Sequence, residues 1–212
     1  MKIYVLHYSK LTERKEYIQR HFRERGLTSY EFIESYNQED LTEQQRNRFS
    51  LTPSKASLFF KHLRAIQNIA DNDDYALIFE DDVVLIETFQ ETLQEYWKQV
   101  PADWDMIFIG DGANLHIEES QLRPGQIFYE PRMHTTFFGI AGASRCSDSY
   151  FVSNKCARRI TEYVKTHLGK TSLPYDWWLN RVAHDLNLKV YWTEPTIVTQ
   201  GSAAGLFKQS IE

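Results

Sequence analysis

Three consecutive acids, Glu80-Asp81-Asp82, follow the apolar run Tyr75 to Phe79. Carboxylates that close repel one another unless a cation lies between them, so packing alone does not explain the triplet. In an extended segment alternate side chains share a face, which lets Glu80 and Asp82 converge on one ion while Asp81 points elsewhere. Hard carboxylate oxygens suit Mn2+ or Mg2+, ions that commonly complete their shells with water and substrate phosphates. The rival reading is a solvated acidic turn, and the triplet by itself does not decide between the two.

A second group is Pro174-Tyr175-Asp176-Trp177-Trp178. Trp177 and Trp178 offer apolar faces on which the C–H face of a sugar can lie, and a carboxylate in such surroundings has its pKa raised. Asp176 also fits the first turn of a helix, favoured there by the helix dipole, with the Trp pair as core. A third group is Gln200-Gly201-Ser202. Gly201 permits close approach of backbone to a phosphate, and Gln200 or Ser202 can donate to that phosphate or meet a metal. After Pro53, the basic positions Lys55, Lys61, His62 and Arg64 read equally as a ligand-facing cationic cluster or as a solvated face, and His62 by itself reads more readily as a hydrogen-bonded structural histidine than as a metal ligand.

The elements that must carry these residues alternate in type. Lys2 to Tyr8 is a strand-like run that leads through Ser9 and Thr12 into a helical pattern with Tyr17, Ile18, His21 and Phe22 on one side. Tyr30 to Ile33 predicts a second strand, and Asn37 to Arg48 a loop or short surface helix. Thr52-Pro53 opens a helix as cap and first-turn proline, with Phe59, Leu63, Ile66 and Ala70 on its buried face. Tyr75 to Phe79 and Met106 to Ile109 predict strands, Thr88 to Lys98 a helix between them, and Ala113 to Gly125 a surface loop. Tyr150 to Val152 precedes a helix capped by Ser153 and closing at Gly169; a last helix follows Pro174, and Lys189 to Trp192 and Thr196 to Val198 are extended. Such alternation predicts an α/β fold with a largely parallel sheet covered on both faces, and ligands bind such sheets beyond the strands' carboxyl ends. Glu80 to Asp82 stands at such an end.

A chain of 212 residues suits one well-cored domain, and 42% hydrophobic with 25% charged residues is ordinary globular usage. A net charge of −5 without a basic cluster argues against a nucleic-acid partner. No apolar run is long enough for a signal peptide or a membrane span, so the expectation is a soluble, cytoplasmic protein. Cys146 and Cys156 lack metal-ligand spacing and are expected to be free thiols.

The segments LHYSKLTERK, LTPSKASLFFKHLRAI, YALIFEDDVVL, SYFVSNKCARRI, LPYDWWLN and TEPTIVTQGS stand in the order of the motifs of family 25-like glycosyltransferases, which the chain resembles from Ile3 to Ser202. That group includes lipooligosaccharide sugar transferases, collagen galactosyltransferases and virus-encoded enzymes that build capsid glycans. The resemblance implies a GT-A fold, a single glycosyltransferase domain over residues 1–212 that is compatible with being part of a longer protein, and a central mostly parallel mixed β-sheet flanked by helices. It further implies metal-dependent transfer of a hexose from a UDP-sugar to a glycan or glycoprotein acceptor, with inversion.

By the same resemblance Asp82 is the direct ligand of Mn2+ or Mg2+. Glu80 occupies the first place of a usual Asp-any-Asp pattern and reaches the ion through water. His7, Tyr8, Ser9 and Arg14 match the nucleotide-contacting segment, where Tyr8 can stack on the base and Arg14 can pair with a phosphate. Asp81, Gln200 and Ser202 fall on the donor side, Lys61 is placed to stabilise the departing diphosphate, and Asp176 to act as general base. TEPTIVTQGS contains no His or Asp to complete a metal shell, which leaves the third ligand open. Two other classes fit the residues alone: a metal-dependent phosphohydrolase or nucleotidyltransferase, and a non-catalytic sugar- or nucleotide-binding module.

Overall fold

The computed structural model describes residues 1–112, 114–131, 144–168 and 171–207. Its first unit is strand β1 (Lys2–Leu6) followed by helix α1 (Thr12–Glu24). β2 (Glu31–Ile33), the short α2 (Glu43–Arg46) and the long α3 (Pro53–Asn72) come next. Thr52 caps α3 by accepting from the Lys55 N–H, with Pro53 in the first turn, as the sequence requires. β3 (Tyr75–Glu80), β4 (Val83–Leu85), α4 (Phe89–Trp97), β5 (Met106–Phe108) and β6 (Phe128–Tyr129) follow. The chain then forms β7 (Ser149–Ser153), α5 (Asn154–His167), α6 (Tyr175–Asp185), β8 (Val190–Thr193) and β9 (Val198–Gln200). α5 ends at His167; Gly169, expected to close it, lies outside the described residues, as does Ala113 at the start of the expected loop.

Seven strands form one sheet in the order β2-β1-β3-β7-β5-β8-β6. β1 is parallel to β2 and β3, and β8 is parallel to β5, whereas β7 runs against both β3 and β5 and β6 against β8. Five strands therefore share one direction and two oppose it, which is the expected mostly parallel mixed sheet. β1 shows why both faces must be covered: Ile3 and Val5 enter one apolar cluster with Ile18, Phe22 and Phe79, while Tyr4 and Leu6 enter the other with Phe59, Ile66 and Ile78. Helices thus pack on both sides, and the polar chemistry is left to the strand ends.

One piece of structure was not expected. Directly after β3 the chain turns through Asp81 and Asp82 into β4, which pairs antiparallel with β9 so that Val83 faces Gln200. This two-stranded ribbon brings the late segment Gln200-Gly201-Ser202 onto the acidic triplet. Among the described residues no helix is long and apolar enough to cross a membrane. Cys146 and Cys156 are free thiols.

Candidate functional site

The carboxyl ends of β1 and β3 lie side by side, with Leu6 in register with Glu80. Two side chains of the triplet, those of Asp81 and Asp82, therefore meet residues that follow β1. His7 Nδ1 is 2.7 Å from one oxygen of Asp81, and Arg14, reaching back from α1, donates to the other at 2.8 Å. The same guanidinium is 3.7 Å from Asp82. Asp81 is thus held by His7 and Arg14, and it still lines the same cavity as Glu80 and Asp82.

The strand's alternation ends at Glu80, because Asp81 and Asp82 belong to the turn. Asp82 is nonetheless held on the cavity side by the ribbon: the Gly201 N–H donates to its carbonyl at 2.7 Å, and Ser202 bonds its carboxylate. A Cβ on Gly201 would lie 2.5 Å from that carbonyl oxygen, so only glycine allows this approach. Glu80 accepts from Ser147 Oγ at 3.1 Å and has His62 Nε2 at 3.6 Å.

Burial dominates the electrostatics. It raises Glu80 well above the usual carboxylate range, and the charges of Asp82 and Asp148 push it the same way. Burial raises Asp82 too, opposed by Ser202 and Arg14. Asp148, fully buried beside Glu80, is pushed up to about 7 for the same reason. Buried Lys61 is lowered to about 8 although its ammonium donates to the Ser35 carbonyl at 2.8 Å and to Asn37 Oδ1 at 3.2 Å. Five buried side-chain atoms among the described residues have no hydrogen-bond partner. Four of them belong to this end of the sheet: His7 Nε2, His62 Nε2, Asp82 Oδ1 and Asp148 Oδ1. Unmet buried polar atoms are costly and call for a partner such as water, an ion or a ligand.

A cavity of about 480 Å3 opens here, large enough for much of a nucleotide. Of the residues singled out in the sequence, Tyr8, Arg14, Lys61, Glu80, Asp81, Asp82, Gln200 and Ser202 line it. His7 does not; it is fully buried behind Asp81 and can act on a ligand only through that carboxylate. Ser9 does not either, its hydroxyl and N–H being tied to the Asn37 amide. The sequence reading missed Leu11, Gln38, Ser54, Ser57 and Leu58 in the wall. No chemical signal marks them; Leu11 arrives with the β1–α1 turn, Gln38 with the segment between β2 and α2, and the other three with the first turns of α3.

The 174–178 segment divides. Trp178, expected as a sugar platform, is a core residue: it is only 4% exposed and packs on Phe59, Tyr163 and Tyr175. Trp177 is half-buried, and Asp176, whose carboxyl is raised by burial, lies outside the cavity wall. A short strap joins the two regions. Ser144 donates to the Asp176 carbonyl and to the Asn180 side chain at one end, and Ser147 to Glu80 at the other.

Among the described residues no group of three or more His, Cys, Asp or Glu side chains is arranged to hold a metal ion. The fit to a divalent ion is therefore partial: two mutually repelling carboxylates, Glu80 and Asp82, with Asp82 Oδ1 unpaired. The rest of a shell would have to come from the ligand and water.

An open sheet covered on both faces, with a charged cavity at the carboxyl edge of its parallel strands, defines an α/β protein of the kind that binds nucleotides at that edge. The fold is GT-A-like: it superposes on the crystal structure of a glycosyltransferase involved in the glycosylation of the major capsid of PBCV-1 with a TM-score of 0.54, at 12% identity, over 97% of this chain and 96% of that one. The sequence matches Glycosyltransferase family 25 (LPS biosynthesis protein) over residues 1–178, and the chain belongs to that family. A relative from Acanthamoeba polyphaga mimivirus, "Putative glycosyltransferase R655", is 27% identical over 124 residues. That alignment takes in 54% of this chain and 38% of the relative, so the chain spans well under half of the relative's length.

Proposed function

We propose that this chain is a glycosyltransferase that moves a hexose from a UDP-sugar to a hydroxyl of a glycan or glycoprotein. The observation that carries this reading is the convergence of Glu80, Asp82, Arg14, Lys61 and Ser202 on one cavity at the carboxyl ends of β1 and β3. The cations Arg14 and Lys61 together with carboxylates in one cavity suit a diphosphate accompanied by a divalent ion. Tyr8 also lines the cavity and is the aromatic residue proposed to stack on the base.

Asp82, assisted by Glu80, would hold Mn2+ or Mg2+. Such an ion, when bound, offsets the charge that grows on a leaving diphosphate. Arg14 and Lys61 add fixed positive charge at the same place, and Asp81 keeps Arg14 in position. Asp176 is the proposed base, taking the proton of the acceptor hydroxyl as it attacks the anomeric carbon from the face opposite the diphosphate, which inverts that centre. Burial raises its pKa and so makes it a stronger base, and the Ser144–Ser147 strap ties its helix to Glu80. Trp177 remains as the acceptor-side aromatic.

The test is a panel of UDP-sugars assayed for acceptor-dependent release of UDP. Asp176→Asn is expected to keep its affinity for UDP and to lose transfer by ~10²-fold or more. Full transfer in that variant would remove the base assignment.

A further inference from the structure

In the sequence His62 is one basic residue among several on α3 and reads more readily as a hydrogen-bonded structural histidine than as a metal ligand. In the structure it is wholly buried, and both ring nitrogens face polar atoms. Nδ1 lies 2.9 Å from the hydroxyl of Tyr150, and that hydroxyl is 3.0 Å from the hydroxyl of Tyr175. Nε2 faces Glu80 at 3.6 Å and has no hydrogen-bond partner. The ring lies flat on Tyr175, with centroids 3.9 Å apart and planes 2° from parallel, so it cannot turn away from this line.

Only two arrangements of hydrogens connect the four groups. In one, the Nδ1–H donates to Tyr150 and Tyr150 donates to Tyr175. The hydroxyl hydrogen of buried Tyr175 then has no acceptor among the described residues. In the other, Tyr175 donates to Tyr150, Tyr150 donates to Nδ1, and the only ring hydrogen sits on Nε2, aimed at Glu80. Here both hydroxyl hydrogens have acceptors and the ring hydrogen faces the nearest oxygen of Glu80, so this arrangement leaves the fewest buried polar groups unmet.

We propose that His62 is a positioning residue that orients Glu80, with Tyr150 and Tyr175 fixing its ring as the Nε2–H tautomer. The gap of 3.6 Å exceeds an ordinary N–H···O contact of ~2.9 Å, so a small rotation of Glu80 closes it. Tyr175 adjoins Asp176 on α6, whereas Glu80 ends β3. The line of bonds thus joins the acceptor-side helix to the donor-side acid. This role rests on the donor-site reading above only in assigning Glu80 to that site.

The decisive measurement needs neither ligand nor turnover. Two-bond 1H–15N correlation spectra of the unmodified, ligand-free protein are expected to show His62 as the Nε2–H tautomer, and Tyr150→Phe to lose that preference. An Nδ1–H tautomer would overturn the proposal. A second arm separates positioning from packing. A Gln side chain places its amide nitrogen near Nε2, and an Asn near Nδ1, so His62→Gln should keep most of the affinity for UDP with Mn2+ while His62→Asn loses about tenfold. Equal loss in both variants would contradict the role. If the unmodified protein fails to bind UDP, the donor-site reading fails, while the tautomer still decides whether the bracket exists.

Discussion

Two buried charge clusters flank the sheet, and they are built on opposite terms. Around Arg145 every polar atom is matched: its guanidinium donates to the carbonyls of Leu115 and Thr193 and to Glu194, and it lies over the Trp192 ring. Glu194 also accepts from the Ile117 N–H at 3.0 Å and faces His116. Around Asp82 the matching is incomplete. Arg14 is shared between Asp81 and Asp82, an oxygen of Asp82 and one of Asp148 are unpaired, and a cavity opens in front. Both clusters pair an arginine with acids, yet the second leaves buried carboxyl oxygens without hydrogen-bond partners. The first pins the loop after β5 to the end of β8; the second opens onto the cavity at the ends of β1 and β3.

This contrast can be broken most forcefully at Arg145. Arg145→Met strands Glu194 without its counter-charge and is expected to cost about 3–5 kcal/mol in urea unfolding. A loss below about 1 kcal/mol would mean that the first cluster is not structural.

A smaller effect of opposite sign is expected at Asp148. Its folded pKa of about 7 stands above the ordinary 3.8, so the folded state favours the neutral acid. That contribution is complete below pH 3.8 and is lost as the pH rises through about 7. Asp148→Asn should therefore be more stable than the parent by about 1–3 kcal/mol at about pH 8, with the gain gone near pH 4. Equal melting temperatures across that range would show that Asp148 is not held as a strained anion.

The smallest effect concerns Lys61, whose pKa is lowered from 10.5 to about 8. Between those values the unfolded chain binds more protons, so this group makes stability rise with pH. Its attraction for a diphosphate runs the other way, being present below about 8 and fading above it. UDP affinity should fall severalfold between about pH 7 and pH 9, and Lys61→Met should flatten that slope.

The frame of the molecule is largely legible in the sequence, because β1, β3, α1 and α3 carry long enough patterns for their periods to show. β4 and β6, with three and two residues, are too short for alternation to register. The antiparallel direction of β7 depends on its partners β3 and β5, which lie far away in sequence. At the site, the acidic triplet declares itself because like charges in a row demand an explanation. Lys61 and His62 do not: a helix pattern assigns basic residues to solvent, yet these two are 2% and 0% exposed, turned inward to meet Ser35, Asn37 and Tyr150. Trp178 shows the converse error, since an indole beside an acid reads as a platform until the core closes over it.

The central claim is that Asp82, with Glu80, gathers a divalent ion that grips a nucleotide diphosphate. Calorimetric titration of UDP with and without Mn2+, on the parent chain and on Asp82→Asn, tests it directly. Mn2+ is expected to strengthen UDP binding in the parent by about 100-fold and to have no such effect in the variant, whose fold remains intact. Equal enhancement by Mn2+ in both proteins would contradict the account.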